Sequence, residues 1–209
     1  CLVLFAIHPE TQKIDPNFRH NIPGLHHLHN ADVMVIATRF RDLPDKQMRQ
    51  IDHFLRRGGA VMGMRTATHG FNIPAAKTYA HYGNGYQGEK DFWRGGFGRA
   101  ILGEKWISHH GSHRHESTRG LIAVNEKNHP IVRGIDNGDI WGPTDVYGVR
   151  LPLPGDSQTL VFGQVLKGMN PTDPPLSGEK NKPLMPIAWT KSYRLPGSHN
   201  RKGKVFNTT

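Results

Sequence analysis

Between residues 33 and 64 the hydrophobic period of the sequence changes twice, and no other feature restricts the fold as strongly. Val33-Met34-Val35-Ile36-Ala37 is a continuous apolar run of strand length. Met48, Ile51, Phe54 and Leu55 then recur at helical spacing. Pro44 suits a first helical turn, Asp45 complements the positive end of the helix dipole, and Gly58-Gly59 closes the element. Ala60-Val61-Met62-Gly63-Met64 follows at once as a second apolar run. Strand, helix and strand in so short a span predict a right-handed βαβ unit. Strands that are apolar without alternation are those covered on both faces. The expected class is therefore α/β, a mostly parallel open sheet with helices on both faces.

The rest of the chain extends this scheme less regularly. Leu2–Ile7 reads as a buried strand, ended by His8-Pro9. Residues 70–90 are rich in Gly, Asn and Tyr and read as a surface excursion, and Asp91–Leu102 reads as a helix despite Gly95-Gly96. Short strands are expected at Lys105–Ser108, Leu121–Val124, Asp145–Val149, Thr159–Val165, Met185–Thr190 and Lys204–Asn207. A brief helix is expected after Asn128-His129-Pro130, and residues 168–184 read as a Pro-rich loop. There is no internal repeat and no composition break, so residues 1–209 are expected to form one domain.

Composition narrows the function classes. Hydrophobic residues make up 36% of the chain, and no apolar stretch approaches the length of a membrane-spanning helix. Cys1 is the single cysteine, which excludes an internal disulfide and a thiolate metal cluster. The net charge of +10 raises the question of nucleic acid. The basic residues fall in small groups (Arg39–Arg41, Arg56–Arg57, Arg201–Lys204) without a nucleic-acid-binding motif, so no nucleic acid partner is expected. Affinity for anionic ligands, self-association and the cellular compartment stay open.

In open parallel sheets ligands gather beyond the carboxyl ends of the strands. Here the first strand of the βαβ unit runs into Thr38-Arg39-Phe40-Arg41, and the second into Arg65-Thr66-Ala67-Thr68-His69. Arg39, Arg65, Thr66 and Thr68 are candidate substrate-binding residues and His69 a candidate catalytic one, because guanidinium, hydroxyl and imidazole groups suit polyols and anions. Two alternatives stand beside this: Arg65 as a brace on loop carbonyls, and Thr68 as a helix cap. The densest ionisable cluster is His109-His110-Gly111-Ser112-His113-Arg114-His115-Glu116. His109 and His113 have helical metal-ligand spacing, but Gly111 and Ser112 argue for a loop, while on a strand His113 and His115 would share a face. His109 is a candidate catalytic residue and His110 a substrate-binding one; the metal question stays open, and no cofactor is expected.

The segment Gly63-Met64-Arg65-Thr66-Ala67-Thr68-His69, preceded by Leu43-Pro44-Asp45-Lys46-Gln47, resembles the Gly-x-Arg-Thr-x-Ser/Thr-His signature of the ThuA-like (trehalose utilisation) family. Phe97-Gly98-Arg99, His109-His110-Gly111, Asn128-His129-Pro130-Ile131, Pro186-Ile187-Ala188-Trp189-Thr190 and Gly203-Lys204-Val205-Phe206 follow in that family's order. The resemblance covers nearly the whole chain. It implies a flavodoxin-like sheet of the class I glutamine amidotransferase-like type and a part in carbohydrate utilisation, with a trehalose-like disaccharide or keto-sugar as the small-molecule partner.

Class I amidotransferases set a Cys in a Gly-x-Cys-x-Gly elbow; aligned on Gly63, that position holds Arg65 and the second Gly position holds Ala67. A guanidinium does not deprotonate and is no nucleophile. Glutamine hydrolysis by the usual thiolate is thus excluded. What the resemblance leaves is a polar cleft of Arg65, Thr66, His69, His109 and His110, belonging to a hydrolase, to an isomerase, to a sugar-binding module without catalysis, or to a metal-dependent hydrolase. It also suggests a chain that begins after the family's first strand and stops before a closing Gly-His pair.

Overall fold

A computed structural model describes residues 1–198 and 201–209. These residues group into two compact units, Cys1–Lys105 with Ser192–Val205, and Trp106–Lys191 with Phe206–Thr209.

The first unit is built on the βαβ element that the sequence marks. Strand β1 is Val33–Ile36, helix α1 is Asp45–Arg56 and strand β2 is Ala60–Met64. The strands pair in parallel, Val33 with Ala60 through Ile36 with Gly63. Met48, Ile51, Phe54 and Leu55 of α1 are buried, as their spacing requires, and join Met34, Ile36 and Val61 in one core. Gly58 takes φ 77 to leave the helix, and a Cβ on Gly59 would overlap the Phe54 ring. Both glycines are therefore required by the turn. The order of strands in this unit continues β1-β2-β9-β8, where β9 is Gly203–Thr208 and β8 is Met185–Tyr193, each strand being shared with the second unit.

The remainder of the first core is aromatic. Phe71, Tyr82, Trp93 and Phe97 are buried and meet edge-on, tilted or, for Tyr82 and Phe97, stacked, with Tyr82 4.3 Å from Trp93 and Phe71 5.3 Å from Phe97 between ring centroids. The excursion at 70–90 is thus fastened to the interior. Its tie to α1 is polar: the Tyr82 hydroxyl donates to Asp52 at 2.9 Å, and Arg56 donates to the other Asp52 oxygen at 2.6 Å. Burial and the Asp52 carboxylate together push the Tyr82 phenol well above its ordinary pKa, which keeps it a donor.

The second unit is antiparallel. Its strands are β3 (Ser108–His109), β4 (Thr118–Ile122), β5 (Trp141–Gly142), β6 (Tyr147–Gly148) and β7 (Gln158–Val165), with the remaining parts of β8 and β9. The order in the larger sheet is β9-β8-β7-β4-β5; β4 pairs antiparallel with β5 and β7, and β7 with β8. A separate antiparallel pair joins β3 to β6. Ile122, Val146, Leu160, Val161, Val165 and Ile187 form the core of this unit.

The mostly parallel open sheet with helices on both faces is therefore overturned, and with it the flavodoxin-like, class I glutamine amidotransferase-like architecture. Among the described residues the β1–β2 pair is parallel and the pairs of the second unit are antiparallel. The sheet is mixed, and α1 is the one α-helix among the described elements. Two physical reasons explain the misreading. First, β1 is apolar without being covered twice: Val33 and Val35 are 54% and 59% exposed, while Met34 and Ile36 face the core. Second, Asp91–Leu102 is not one helix, because Gly95 and Gly96 turn left-handed at φ 91 and 70. They divide the segment into a 3-10 turn at Asp91–Trp93 and a π-turn at Gly98–Leu102. The strand expected at Leu2–Ile7 is also absent; Ile7 makes a single bridge to Ile14, and Leu2, Val3 and Phe5 are exposed.

His81 gives this fold a pH signature. Burial, and then the charge of Lys90, lower its pKa from 6.5 to about 4. The Lys90 ammonium donates toward its Nδ1 at 3.3 Å, which requires a neutral ring. Between those two values the unfolded chain holds a proton that the folded chain does not. Stability therefore rises with pH through that window and is lost as pH falls from about 6.5 toward 4. Urea titrations of wild type and His81→Gln across pH 4 to 7.5 are expected to differ in slope below pH 6.5 and run parallel above it. Parallel curves throughout would refute the assignment.

Candidate functional site

The sequence-predicted residues divide between the two units, with Arg39, Arg65, Thr66, Thr68 and His69 in the first and His109 and His110 in the second.

In the first unit β2 ends on Met64 in extended conformation and the chain then reverses at Arg65, whose φ is 46. A left-handed backbone at a residue with a long side chain is uncommon and costs about 1–2 kcal/mol. A 3-10 turn, Arg65–His69, follows directly. Strand, left-handed residue and helical turn together form an elbow of the kind that exposes a side chain beyond a strand end. Arg65 and Thr66 are half-buried, whereas Thr68 and His69 are buried. The Thr68 hydroxyl donates to the Arg65 carbonyl at 3.3 Å and lies 3.4 Å from His69 Nδ1. Thr68 thus sits inside the turn, and Met64 occupies the position before it.

The chain leaving β1 runs alongside this turn. Phe40 N–H donates to the His69 carbonyl at 2.9 Å and Arg41 N–H to the Gly70 carbonyl at 2.8 Å. Phe40 is also left-handed, φ 49, and its ring packs 4.9 Å from His69. Arg39 is exposed beside it. Positive charge gathers here: burial first, then Arg19 and Arg39, lower the Arg41 pKa. Arg19 donates to the Phe40 carbonyl at 2.7 Å and Arg41 to the Phe18 carbonyl at 2.8 Å. Guanidinium groups thus stand beside the turn, Arg19 and Arg41 bracing backbone carbonyls, on a scaffold of two left-handed residues.

In the second unit β3 pairs with β6 so that His109 lies opposite Tyr147, and His110 N–H donates to the Val146 carbonyl at 2.9 Å. This pairing brings the histidine loop onto Asp145, a carboxylate with 0% exposure. His109 Nδ1 is 2.6 Å from one Asp145 oxygen and His113 Nδ1 is 2.7 Å from the other. Both imidazoles are otherwise exposed, and their centroids are 4.9 Å apart. Trp106 and Tyr147 flank His109 at 5.5 and 5.9 Å. His110 faces elsewhere: its Nε2 donates to the Lys180 carbonyl at 2.8 Å. His115 is exposed in the following turn and does not share a strand face with His113.

Asp145 is the residue that sequence reasoning missed. It lies 32 positions after His113, so no local spacing marks it. The signal nearest to it is the Gly142-Pro143-Thr144-Asp145 stretch, which sets an acid two residues before β6.

No family model matches the chain, and no curated protein matches it. Among solved structures it is similar to the 1.75 Å crystal structure of a protein from Parabacteroides merdae described as ThuA-like. The match has a TM-score of 0.45 and 16% sequence identity, and covers 87% of this chain and 60% of that one. The chain spans 60% of the length of that protein.

Gly98 tests the elbow directly. A Cβ at Gly98 would overlap the Thr68 carbonyl oxygen, which is backbone and has no rotamer to give. Gly98→Ala is expected to destabilise the chain by about 1–3 kcal/mol in urea titrations. An unchanged midpoint would show that the turn does not need this close approach.

Proposed function

We propose that this chain is a ThuA-like protein of carbohydrate utilisation that takes a hydroxyl-rich small molecule, a trehalose-like disaccharide or its keto-sugar derivative, at the Arg65 elbow. The observation that carries the reading is the left-handed backbone at Arg65, φ 46, immediately after β2. Strain of this kind persists where the surrounding fold overdetermines it, and it clusters at binding sites. Arg65 supplies the anchoring hydrogen bonds, Thr66 a hydroxyl, and Arg39 a second guanidinium at the end of the neighbouring strand. His69, packed on Phe40, completes the polar lining. The same reading excludes a glutamine amidotransferase, because a guanidinium occupies the elbow and Cys1 is exposed at the first residue.

An enzyme is favoured over a sugar-binding module by a second observation, the buried Asp145 carboxylate between His109 and His113. A carboxylate that orients an imidazole is the arrangement acid–base catalysis uses. In this reading His109 is the candidate acid–base residue of the second unit, where the Lys180 carbonyl holds the neighbouring His110.

Isothermal titration with trehalose and with a keto-sugar derivative, coupled to a turnover assay, tests the proposal. Arg65→Ala is expected to weaken binding about 10- to 100-fold, the worth of a hydrogen bond to a charged group. Arg65→Gly should lose binding equally, yet be more stable than Arg65→Ala by about 1 kcal/mol, because glycine relieves the left-handed strain. Equal sugar affinity in wild type and both variants would overturn the elbow as the binding site.

A further inference from the structure

We propose that His109, His113 and Asp145 form a binding site for one divalent transition-metal ion, with coordination positions left open to solvent. The proposal goes beyond the sugar reading and does not depend on it. It rests on the juxtaposition of two exposed imidazoles on one fully buried carboxylate. One donor atom from each of the three residues lies within 4.8 Å of the others.

Electrostatics gives the first argument. A carboxylate with 0% exposure is expensive to desolvate, by several kcal/mol, unless opposite charge or strong hydrogen bonds meet it. Each of its oxygens faces an imidazole nitrogen at 2.6 or 2.7 Å. Imidazole N–H groups meet it with donor protons, and a divalent cation in the place of those protons would compensate the carboxylate's charge directly. Two histidines with one carboxylate are a donor set for zinc, iron, manganese, cobalt or nickel. Calcium and magnesium favour oxygen ligands alone.

Geometry gives the second. A cation about 2.0–2.2 Å from each ligand holds the ligand atoms roughly 3–3.5 Å apart. The Asp145 contacts would open by less than an ångström and donor atoms up to 4.8 Å apart would close, and the movable partners are the two exposed imidazoles. The backbone that carries them is fixed. His109 is paired into β3, and Gly111 lies so near Asp145 that an added Cβ would stand 3.1 Å from the Asp145 Cβ. Glu116 accepts from the Ser112 N–H at 2.5 Å and from Lys180 at 3.0 Å, which braces the loop between the two histidines. Arg114 turns left-handed at φ 67 just after His113. Three protein ligands on a braced loop, with solvent on the imidazole side, have the form of a catalytic site in which the metal keeps a water. Such a water would be deprotonated near neutral pH.

The test uses the whole chain, stripped of metal with dipicolinate and then titrated with zinc chloride by calorimetry, with the metal content of untreated protein read by elemental analysis. One zinc per chain is expected, with magnesium giving no heat. Exposed His113→Ala and His109→Ala are each expected to weaken zinc by about 100-fold, the upper end of what even supporting groups contribute. His115→Ala, three residues along the same loop from Ser112, is expected to bind as wild type does. Asp145→Asn should also lose zinc; circular dichroism establishes that this buried variant is folded, and the two histidine variants carry the test if it is not. Absence of stoichiometric zinc binding, or undiminished binding in the double variant His109→Ala, His113→Ala, would overturn the site. Sugar binding measured on the same metal-free protein separates this outcome from that of the elbow, since either can fail while the other stands.

Discussion

The left-handed backbone at Arg65 is the constraint on which the first unit depends, because nothing in a side-chain-bearing residue favours it. At about 1–2 kcal/mol the strain must be offset by contacts that exist only when the elbow is formed. Several are present. The Thr68 hydroxyl closes the turn onto the Arg65 carbonyl, and the Phe40 and Arg41 amides take up the His69 and Gly70 carbonyls. The π-turn at Gly98–Leu102 comes so close to the Thr68 carbonyl that residue 98 has no room for a side chain. The buried Phe71, immediately past the turn, locks its far end into the aromatic core. Elbow, excursion and π-turn are thus one cooperative arrangement, in which a change at residue 98 is felt at residue 68.

Two buried carboxylates show how the same group serves different ends. Asp52 receives a phenol hydroxyl from Tyr82 and a guanidinium from Arg56, one on each oxygen. Arg56 brings full charge and Tyr82 is itself buried, so the group is satisfied in place and ties α1 to the excursion. Asp145 also has both oxygens met, but by imidazoles exposed to solvent. What differs is the chemistry of the partners, since Asp52 is met by a guanidinium and a phenol, whereas Asp145 is met by two imidazoles whose nitrogens can also serve as metal ligands. Partner identity, more than the number of hydrogen bonds, distinguishes the two carboxylates.

The sequence was legible where a single element reports on itself. Met48, Ile51, Phe54 and Leu55 mark a face that can only be a buried helix stripe, and Gly58-Gly59 marks its end; the structure agrees at each residue. The closing strands β7, β8 and β9 were legible for the same reason, being apolar runs between turn residues. What was not legible is how elements face one another. An apolar run does not say whether one face or two will be covered, and Val33 and Val35 are uncovered. Nor does it give strand direction, which depends on pairing between residues as distant as Gly120 and Gly163. The candidate site divides likewise. Arg65 and its elbow follow from local sequence, whereas Asp145 meets His109 only through the pairing of β3 with β6.

The identity of the elbow residue bears on what the strain is for. In a nucleophile elbow the left-handed backbone lifts a reactive atom clear of the strand end so that a base can reach it. A guanidinium gains nothing from such a base, since it holds its proton at any accessible pH. What it gains is position: a planar fork of donors held at the strand end, backed by the turn that follows. On the proposed reading, binding would profit from preorganisation, because the side chain would meet a ligand with less entropy to lose. The chemistry, on this view, has no reason to reside at the elbow. The imidazoles that Asp145 gathers in the second unit are the groups proposed here for acid–base work or for a metal.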